Sequence, residues 1–380
     1  MNYNQYIDEA CEKFRSLLVS QLERQNKMEK AKDKKDFSKL GKIVIGIVGG
    51  DGIGPAITNH AVTVLENLLD EEIKSGKVEL KRIDGLTIEN RERVGKAVPD
   101  EVMKEIKSCD VLLKGPTTTP KGGTMESANV TIRRELDLFA NVRPVKVPSL
   151  GIDWIFFREN TEGEYALGSK GVEIPEKLAM DFKVTTKGGT ERIARAAFDH
   201  AKANGKTKVA IITKANVIKK TDGNFSLICH EVAKDYPGIV AEDYYADIMT
   251  ASLIKPAVRT SYQVFVLPNL YGDIISDEAA EIQGGVGTAG SANIGNQYAM
   301  FEAIHGSAVR MVEDGREQFA DPSSMFKATE MLLRHIGYVE KADRLENALI
   351  SCQQEGQLKV TGRANGATGA DYANYVMSKL

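Results

Sequence analysis

Two aspartates set four residues apart after an apolar run are the first sign of chemistry in this chain. Residues 264–268 have the composition of a buried strand, and Gly272 is suited to break it. Asp273 suits the first position of a helix, which would place Asp273 and Asp277 on one helical face. Two such carboxylates repel each other unless a cation lies between them, and their oxygens suit Mg²⁺ or Mn²⁺ rather than zinc. The alternative is that Asp273 caps the helix while Asp277 and Glu278 favour its positive end.

Three arginines could hold a substrate that carries several carboxylates. Arg133 and Arg143 flank a short, largely apolar segment, and Arg158 follows the apolar residues 154–157. A guanidinium group binds a carboxylate through two hydrogen bonds, so three together would suit a polycarboxylic acid. The alternative for each arginine is a salt bridge to a nearby acidic side chain, namely Glu135, Asp137 or Glu159.

A tyrosine and a lysine could transfer protons. Tyr165 lies in a polar loop after the same apolar strand, and Lys214 ends the strand predicted at 208–213 and precedes Asn216. Burial or cationic neighbours lower the pKa of a lysine, and near a metal the pair could move protons on and off a substrate. Asp247 begins another predicted helix and could be a third metal ligand or an ordinary N-cap.

These residues lie in a chain whose strand and helix patterns alternate. Strands are predicted at residues 42–48, 110–114, 141–146, 152–158, 208–213, 239–245 and 263–268. Helices are predicted at residues 55–69, 99–107, 189–204, 216–236, 250–260, 324–338, 341–353 and 370–380, with a further one that opens near Ser127. This alternation predicts an α/β fold with a mixed, largely parallel sheet.

The glycine-rich turn that follows the first predicted strand does not match the dinucleotide-binding fingerprint. The glycines of residues 49–55 are not spaced as G-x-G-x-x-G, and no acidic residue ends a clean second strand about 20 positions on. We therefore expect a tight strand-to-helix turn and not a standard Rossmann fold.

Two other loops could contact a ligand. The threonine-rich loop 115–123 suits ligand contact, although it could be a plain connection. His305 opens a small-residue loop where a nucleotide could lie.

Composition narrows the class of protein. The 380 residues suit two domains or one large α/β unit, and a net charge of -3 implies no basic face for nucleic acid. Scattered cysteines fit a reducing compartment and argue against disulfides and zinc. No apolar run approaches the roughly 20 residues of a membrane span, and the N-terminus lacks a secretion or transit signal. We expect a cytoplasmic protein with no membrane or nucleic-acid partner.

The first 40 residues differ in character from the rest. Apolar side chains at helical spacing predict one amphipathic helix, and these are Ile7, Cys11, Phe14, Leu18 and Leu22. We expect this face to pack on the core or on a partner subunit. The segment carries no pattern that points to chemistry.

Several long motifs in a fixed order resemble those of a known family. They cover residues 50–55, 114–116, 132–144, 158–165, 269–277 and 305–308. Over residues 42–380 the chain resembles the isocitrate/isopropylmalate dehydrogenase family, the metal-dependent decarboxylating dehydrogenases of 2-hydroxy acids. The resemblance implies a two-domain isopropylmalate-dehydrogenase-like fold with a central sheet. The expected division is an extension at 1–40, a large cofactor-binding domain at 41–138 and 284–380, and a small domain at 139–283 with a dimerisation clasp.

The resemblance also implies roles for the residues singled out above. Arg133, Arg143 and Arg158 would hold the substrate's α- and β-carboxylates, with Asn216 also in the substrate site. Asp273 and Asp277 would bind Mg²⁺ or Mn²⁺ together with Asp247 of the partner subunit. Lys214, also from the partner subunit, would assist deprotonation of the substrate hydroxyl, and Tyr165 would protonate the enol carbon. Such shared sites imply at least a homodimer.

Substrate choice rests on the turn before Arg133. Ser127 and Asn129 stand where isocitrate dehydrogenases bind the γ-carboxylate, whereas isopropylmalate enzymes carry apolar residues there. Hydrogen-bond donors fit a carboxylate and would be left unsatisfied by an alkyl group, so a tricarboxylic substrate is favoured. Glu126 departs from the usual basic or neutral residue. The first alternative is the same chemistry on isopropylmalate or homoisocitrate. Another alternative is a non-catalytic regulatory subunit, which should have lost some of the arginines, the tyrosine, the lysine or the aspartates named above.

The resemblance places the nicotinamide cofactor near residues 305–311. The residues implied to bind it are Lys114, Thr118, Thr119, Glu302, His305, Gly306, Ser307, Ala308, Arg310 and Asp321. Residues 309–311 match neither the usual NAD pattern nor the NADP pattern, and Asp321 replaces the usual asparagine. NAD is slightly favoured, but Arg310 or Arg363 could pair with a 2′-phosphate, so NADP stays possible.

Overall fold

A computed structural model describes residues 3–30, 33–120, 125–167 and 170–380. Residues 121–123 of the predicted threonine-rich loop lie outside the described residues, as do 168–169 of the segment where the clasp was expected and four residues of the N-terminal extension. The strands formed in the described ranges are β1 (Ile43–Val48), β2 (Val78–Arg82), β3 (Val111–Lys114), β4 (Ala140–Val147), β5 (Ile152–Glu159), β6 (Val172–Ile174), β7 (Leu178–Met180), β8 (Lys208–Thr213), β9 (Val240–Tyr245), β10 (Val264–Leu267), β11 (Gly290–Ile294) and β12 (Ala299–Ala303).

Helices alternate with these strands along most of the chain. They are α1 (Asn4–Met28), α2 (Gly54–Leu68), α3 (Asp70–Lys74), α4 (Ile88–Val94), α5 (Asp100–Lys107), α6 (Ala128–Glu135), α7 (Lys187–Ala203), α8 (Thr221–Ala233), α9 (Ala246–Leu253), α10 (Pro256–Arg259), α11 (Asn269–Gln283), α12 (Val309–Glu313), α13 (Ser323–His335), α14 (Val339–Glu355) and α15 (Gly369–Met377). In the described part of the chain, no helix is long and apolar enough to cross a membrane.

The chain divides into two compact units. The first unit comprises Met1–Asp33 and Leu150–Ser276, and the second comprises Lys34–Ser149 and Asp277–Leu380. The predicted domain boundaries at 138/139 and 283/284 and the separate extension at 1–40 stay predictions. The assigned roles of the predicted domains stay predictions.

The second unit holds strands in the order β2-β1-β3-β12-β11-β4. β1 pairs in parallel with β2 and β3, and β12 pairs in parallel with β3. β11 is antiparallel to both of its neighbours, β12 and β4. The six residues of β1 are almost all buried, as expected for a strand covered on both faces.

The first unit holds strands in the order β5-β10-β8-β9, all parallel. Stacked Phe156 and Phe265 rings, 4.3 Å apart, join β5 to β10, and the edge of Trp154 meets both rings. β6 and β7 form a separate antiparallel hairpin in this unit. The predicted α/β class with a mixed, largely parallel sheet is confirmed.

Several predicted element boundaries are wrong. The helix expected to begin at Asp273 begins at Asn269, so Gly272 lies inside α11 and does not break the strand. The helix expected at 250–260 is two helices, because Pro256 can start a helix but cannot continue one. α8 begins at Thr221, five residues later than expected, since residues 214–218 form a turn.

The N-terminal helix forms, but the predicted apolar face does not pack on the core. Ile7, Phe14, Leu18 and Leu22 are each exposed, whereas Leu17 is the buried residue of α1. Phe14 makes one ring contact, with Phe182 at 5.3 Å. The helix therefore meets the first unit with the side that carries Leu17, and its predicted contact with a partner subunit stays a prediction.

Candidate active site

Arg158 is fixed at the carboxyl end of β5 by the start of α11. Its Nε and Nη2 atoms donate to Asn269 Oδ1 at 3.0 and 2.7 Å, and its Nη1 atom pairs with Asp273. The side chain is only 1% exposed. A Cβ atom at Gly272 would lie 2.5 Å from Arg158 Cγ, so the glycine inside α11 makes room for this arginine.

Tyr165 meets the same carboxylate. Its hydroxyl donates to Asp273 Oδ2 at 3.1 Å, and the Arg158 guanidinium lies 5.3 Å from the centre of its ring. Since α11 begins at Asn269, Asp273 is inside the helix and the alternative that it caps the helix is wrong. Three of the predicted site residues are therefore in direct contact within the first unit.

Arg143 makes the equivalent arrangement in the second unit. Its Nη1 atom pairs with Asp277 Oδ1 at 2.6 Å, and its Nε atom donates to Asn141 Oδ1 at 2.8 Å. Asn141 in turn donates to Asn293 at 2.9 Å, so buried amides hold the arginine at the start of β4. Asp277 follows Asp273 by one turn on α11, as predicted for two carboxylates on one helical face.

Arg133 belongs to a buried cluster of charges in the second unit. Glu302 Oε1 pairs with Arg133 at 3.0 Å, and Glu302 Oε2 pairs with Lys114 at 3.2 Å. Burial alone would raise the pKa of Glu302, but Lys114 and Arg133 outweigh it and lower the pKa to about 2. Glu302, a predicted cofactor residue, thus holds Arg133 from the interior and is shared with Lys114, another predicted cofactor residue. Neither Glu135 nor Asp137 is the partner found for Arg133.

Lys214 and Asp247 form a more exposed pair in the first unit. Lys214 Nζ lies 2.5 Å from Asp247 Oδ1, and their side chains are 27% and 61% exposed. The hydrogen bond from Lys214 lowers the pKa of Asp247. Tyr245 is the N-cap of α9, so the alternative that Asp247 caps that helix is wrong. Asn216 is exposed in the turn that follows β8.

Predicted cofactor residues gather around the glycine turn of the second unit. Asp51 accepts hydrogen bonds from the amides of Ile88 and Thr118, both at 2.7 Å. The hydroxyls of Thr118 and Ser307 lie 2.7 Å apart. Gly52 has a φ of +57°, and a Cβ there would lie 2.0 Å from the Ser307 carbonyl oxygen, so only glycine fits this turn. The turn is thus a tight connection that draws two ligand loops together.

His305 and Asp321 are fixed by the start of α13. His305 Nε2 lies 2.8 Å from Ser324 Oγ, and Asp321 accepts from the Ser323 amide at 2.9 Å. Burial raises the pKa of Asp321. The remaining predicted cofactor residues are exposed, and these are Thr119, Gly306, Ala308 and Arg310. Arg316 donates to the Gly362 carbonyl at 2.7 Å, which ties the Arg310 segment to the segment that carries Arg363.

The carboxylates fit a hard divalent cation by their chemistry. Asp273 and Asp277 lie four residues apart on α11 and offer carboxylate oxygens, the type of ligand that Mg²⁺ and Mn²⁺ prefer. In the described part of the chain, no three His, Cys, Asp or Glu side chains are grouped so that they could hold a metal ion. The predicted set takes its third ligand, Asp247, from a partner subunit and stays a prediction.

Three asparagines were missed by the reasoning from sequence. Asn269 holds Arg158, Asn141 holds Arg143, and Asn293 donates to Glu302 at 2.9 Å. Each is 1% exposed or less. An asparagine at the edge of an apolar run is the signal that could have revealed them, because a buried amide needs polar partners.

Comparisons with known proteins show the family to which the chain belongs. The model of the family described as isocitrate/isopropylmalate dehydrogenase matches residues 44–365. The 3-isopropylmalate dehydrogenase of Archaeoglobus fulgidus is 39% identical over 348 residues, covering 90% of this chain and 100% of that protein. The NADP isocitrate dehydrogenase of Rickettsia bellii is 39% identical over 322 residues, covering 82% of this chain, which spans 63% of that protein.

The fold of the chain is also similar to that of a solved member of this family. The crystal structure of isocitrate dehydrogenase from Methylococcus capsulatus matches with a TM-score of 0.79 and 34% identity, covering 89% of this chain and 99% of that one. The two-domain fold implied by the resemblance is thereby confirmed. The chain belongs to the isocitrate/isopropylmalate dehydrogenase family, and it is a dehydrogenase at the level of that family.

Proposed function

We propose that the chain oxidises and decarboxylates isocitrate to 2-oxoglutarate with a divalent cation and NAD. The observation that carries this choice is the polar start of α6. Ser127 is the N-cap of this helix and Asn129 lies in its first turn, with Arg133 one turn further on. Two polar side chains beside an arginine suit a third carboxylate and would be left unsatisfied by an alkyl group.

The neighbouring acidic residue does not oppose this choice. Glu126 forms two hydrogen bonds to Arg134, both 2.7 Å, and accepts another from Thr131 at 2.8 Å. Its charge is thereby neutralised on the outer side of α6. Asn129 accepts from Thr117 at 3.2 Å through its amide oxygen, which leaves the amide nitrogen as the donor end of the side chain.

The chain's own residues would divide the work between binding and proton transfer. Arg133, Arg143 and Arg158 would bind and orient the substrate carboxylates. Lys214 of a partner subunit would take up the hydroxyl proton as hydride leaves for the cofactor. Tyr165 would then deliver its phenolic proton to the carbon that lost CO₂, since its hydroxyl is already held by Asp273.

The cation would be held by Asp273 and Asp277 with Asp247 of the partner subunit. When bound, it would supply Lewis-acid stabilisation of negative charge on the substrate oxygen. Because this scheme takes the third ligand and Lys214 from another subunit, we propose a homodimer as the active form. We also propose a cytoplasmic location, with no nucleic-acid or membrane partner.

The cofactor would lie against the Thr118–Ser307 contact in the second unit, with His305 and Asp321 close by in sequence. A carboxylate at Asp321, and Met311 in place of the tyrosine whose hydroxyl belongs to the NADP pattern, support NAD. NADP is the alternative, since Arg310 and Arg363 are both exposed and cationic.

A second candidate is the same chemistry on isopropylmalate. The observation that favours it is the 39% identity to the Archaeoglobus fulgidus protein, all of which is covered. A non-catalytic subunit is a weaker candidate, because the arginines, Tyr165, Lys214 and the three aspartates are all present.

Comparing kcat/KM on isocitrate, isopropylmalate and homoisocitrate tests the proposal. The purified protein is assayed with Mn²⁺ and either NAD or NADP, and we expect isocitrate with NAD to be preferred. A preference for either of the other acids would contradict the choice of substrate. If neither cofactor is reduced with any of the acids, the proposal of an enzyme fails in favour of a regulatory subunit.

A further inference from the structure

The N-terminal helix reaches the loop that carries Tyr165 through one arginine. Arg24 of α1 pairs with Glu162 Oε1 at 3.0 Å and donates to Thr161 Oγ1 at 2.9 Å. The Arg24 side chain is 21% exposed and that of Glu162 is 3% exposed, so this pair is largely shielded from water. α1 lies before residues 44–365, which are the part matched by the family model.

The loop needs positive charge because two carboxylates are buried in it. Glu159 and Glu162 are each 2% exposed, and burial together with the charge of Glu162 raises the pKa of Glu159 to about 7. Arg192 and Arg24 oppose this rise and keep the pKa of Glu159 from going higher. Arg192 donates to Thr161 Oγ1 at 3.0 Å, so two arginines converge on the same turn. Without them, two like charges would remain in a medium of low polarity.

These acidic side chains shape the loop. Glu159 accepts hydrogen bonds from the amides of Thr161 at 3.0 Å and Glu162 at 2.5 Å. Glu162 accepts from both the amide and the hydroxyl of Thr186, at 2.8 and 2.5 Å. The turn at 159–162 is therefore built around two buried carboxyl groups, and its shape depends on the cations that face them.

A short series of contacts joins this turn to the candidate catalytic groups within the first unit. The Glu162 carbonyl accepts from Asn269 Nδ2 at 3.1 Å, and Asn269 Oδ1 holds the Arg158 guanidinium. Arg158 and Tyr165 both contact Asp273, and Tyr165 follows Glu162 by three residues. Movement of the turn would thus displace both Arg158 and Tyr165.

We propose that Arg24 is a positioning residue for the candidate active site, through which the N-terminal helix holds the 159–165 loop and so places Tyr165 and Arg158. The proposal deepens the proposed function and rests on it for its kinetic consequence. Arg24 touches neither substrate nor cofactor in this scheme. It acts through Glu162 and Thr161.

The test compares Arg24→Ala with Arg15→Ala, which removes an exposed arginine from the same helix. Hydrogen–deuterium exchange of peptides covering residues 159–167 should become about tenfold faster in Arg24→Ala, because a shielded, charged hydrogen-bond pair is lost. In the same variant kcat should fall roughly tenfold and KM should change less, since the proton donor is misplaced. Arg24→Lys should restore most of the slow exchange and most of kcat, and Arg15→Ala should match the wild type in both measurements.

A structural role alone would lower the thermal midpoint and leave kcat at 25 °C unchanged. The proposal is overturned if folded Arg24→Ala exchanges and turns over like Arg15→Ala. Should Arg24→Ala fail to fold, Arg24→Lys is compared with Arg24→Gln, and equal exchange of residues 159–167 in the two overturns it. If the wild type turns over none of the acids, the proposed function has failed, and the exchange measurement still decides whether Arg24 holds the loop.

Discussion

Two ion pairs of the first unit have similar chemistry and opposite surroundings. In Arg158–Asp273 the side chains are 1% and 33% exposed and the arginine is also held by Asn269, whereas in Lys214–Asp247 the side chains are 27% and 61% exposed. A buried cation must keep its partners, because losing one leaves an uncompensated charge. An exposed pair is weak and can exchange partners at little cost. Under the proposed function, Arg158 would be a fixed substrate anchor, and the exposed pair would be offered to another subunit.

Removing the carboxylate of the buried pair should have the largest effect. Asp273→Asn deprives Arg158 and Tyr165 of a charged partner and removes a predicted metal ligand, so kcat/KM should fall on the order of a thousandfold. Steady-state assays with a Mn²⁺ titration would measure this. Asp235→Asn, in a pair whose side chains are 49% and 58% exposed, is the control. If kcat/KM of Asp273→Asn falls less than tenfold, burial does not distinguish the ion pair that is important for activity.

The buried carboxylate of the second unit should affect stability instead. Glu302→Gln leaves Lys114 and Arg133 without their shared counter-charge, so the free energy of unfolding at pH 7 should fall by about 3–5 kcal/mol. Because the pKa of Glu302 is lowered from 4.5 to about 2 on folding, its contribution is complete above pH 4.5 and is lost as the pH falls towards 2.

Urea unfolding at several pH values would measure this difference. The gap between wild type and variant should therefore shrink below pH 4.5. Glu135→Gln, whose pair with Lys107 is 42–44% exposed, should cost little at any pH. A gap that grows on acidification would contradict the assignment of an ionised Glu302.

The exposed pair can be tested by mixing subunits. Lys214→Ala should abolish turnover without a measurable change in the thermal midpoint. If sites are shared, a mixture of inactive Asp273→Asn and inactive Lys214→Ala chains forms some dimers with one intact site, and about a quarter of wild-type activity should return. Activity that does not return after refolding the chains together would mean that each chain builds its own site.

The smallest effect is expected at the exposed end of the nucleotide segment. Arg310→Ala should change kcat/KM with NAD by about threefold or less, because an exposed arginine has no 2′-phosphate to bind in that cofactor. The measurement is a pair of assays with NAD and NADP, and Arg15→Ala, which removes an exposed arginine outside the nucleotide segment, is the control. A loss above tenfold with NADP alone would identify Arg310 as a phosphate ligand and favour NADP.

Arg158, Tyr165 and Asp273, which meet in the structure, could be predicted as site residues because each follows an apolar run typical of a buried strand. The boundary of α11 could not, since Gly272 is in the helix for a reason that lies elsewhere in the chain, namely the Arg158 side chain against it. β11 was missed as well, because its sequence Gly290–Ile294 is poor in strand-forming residues. Its antiparallel place between β4 and β12, and the buried bonds of Asn293, come from tertiary pairing.

The cysteine distribution makes the attachment of α1 directly observable. Cys11 on α1 is exposed, while Cys109, Cys229 and Cys352 are buried. A maleimide dye should therefore label the native protein on this helix without any engineered residue. Fluorescence anisotropy of that dye would report whether the helix detaches from the first unit during turnover.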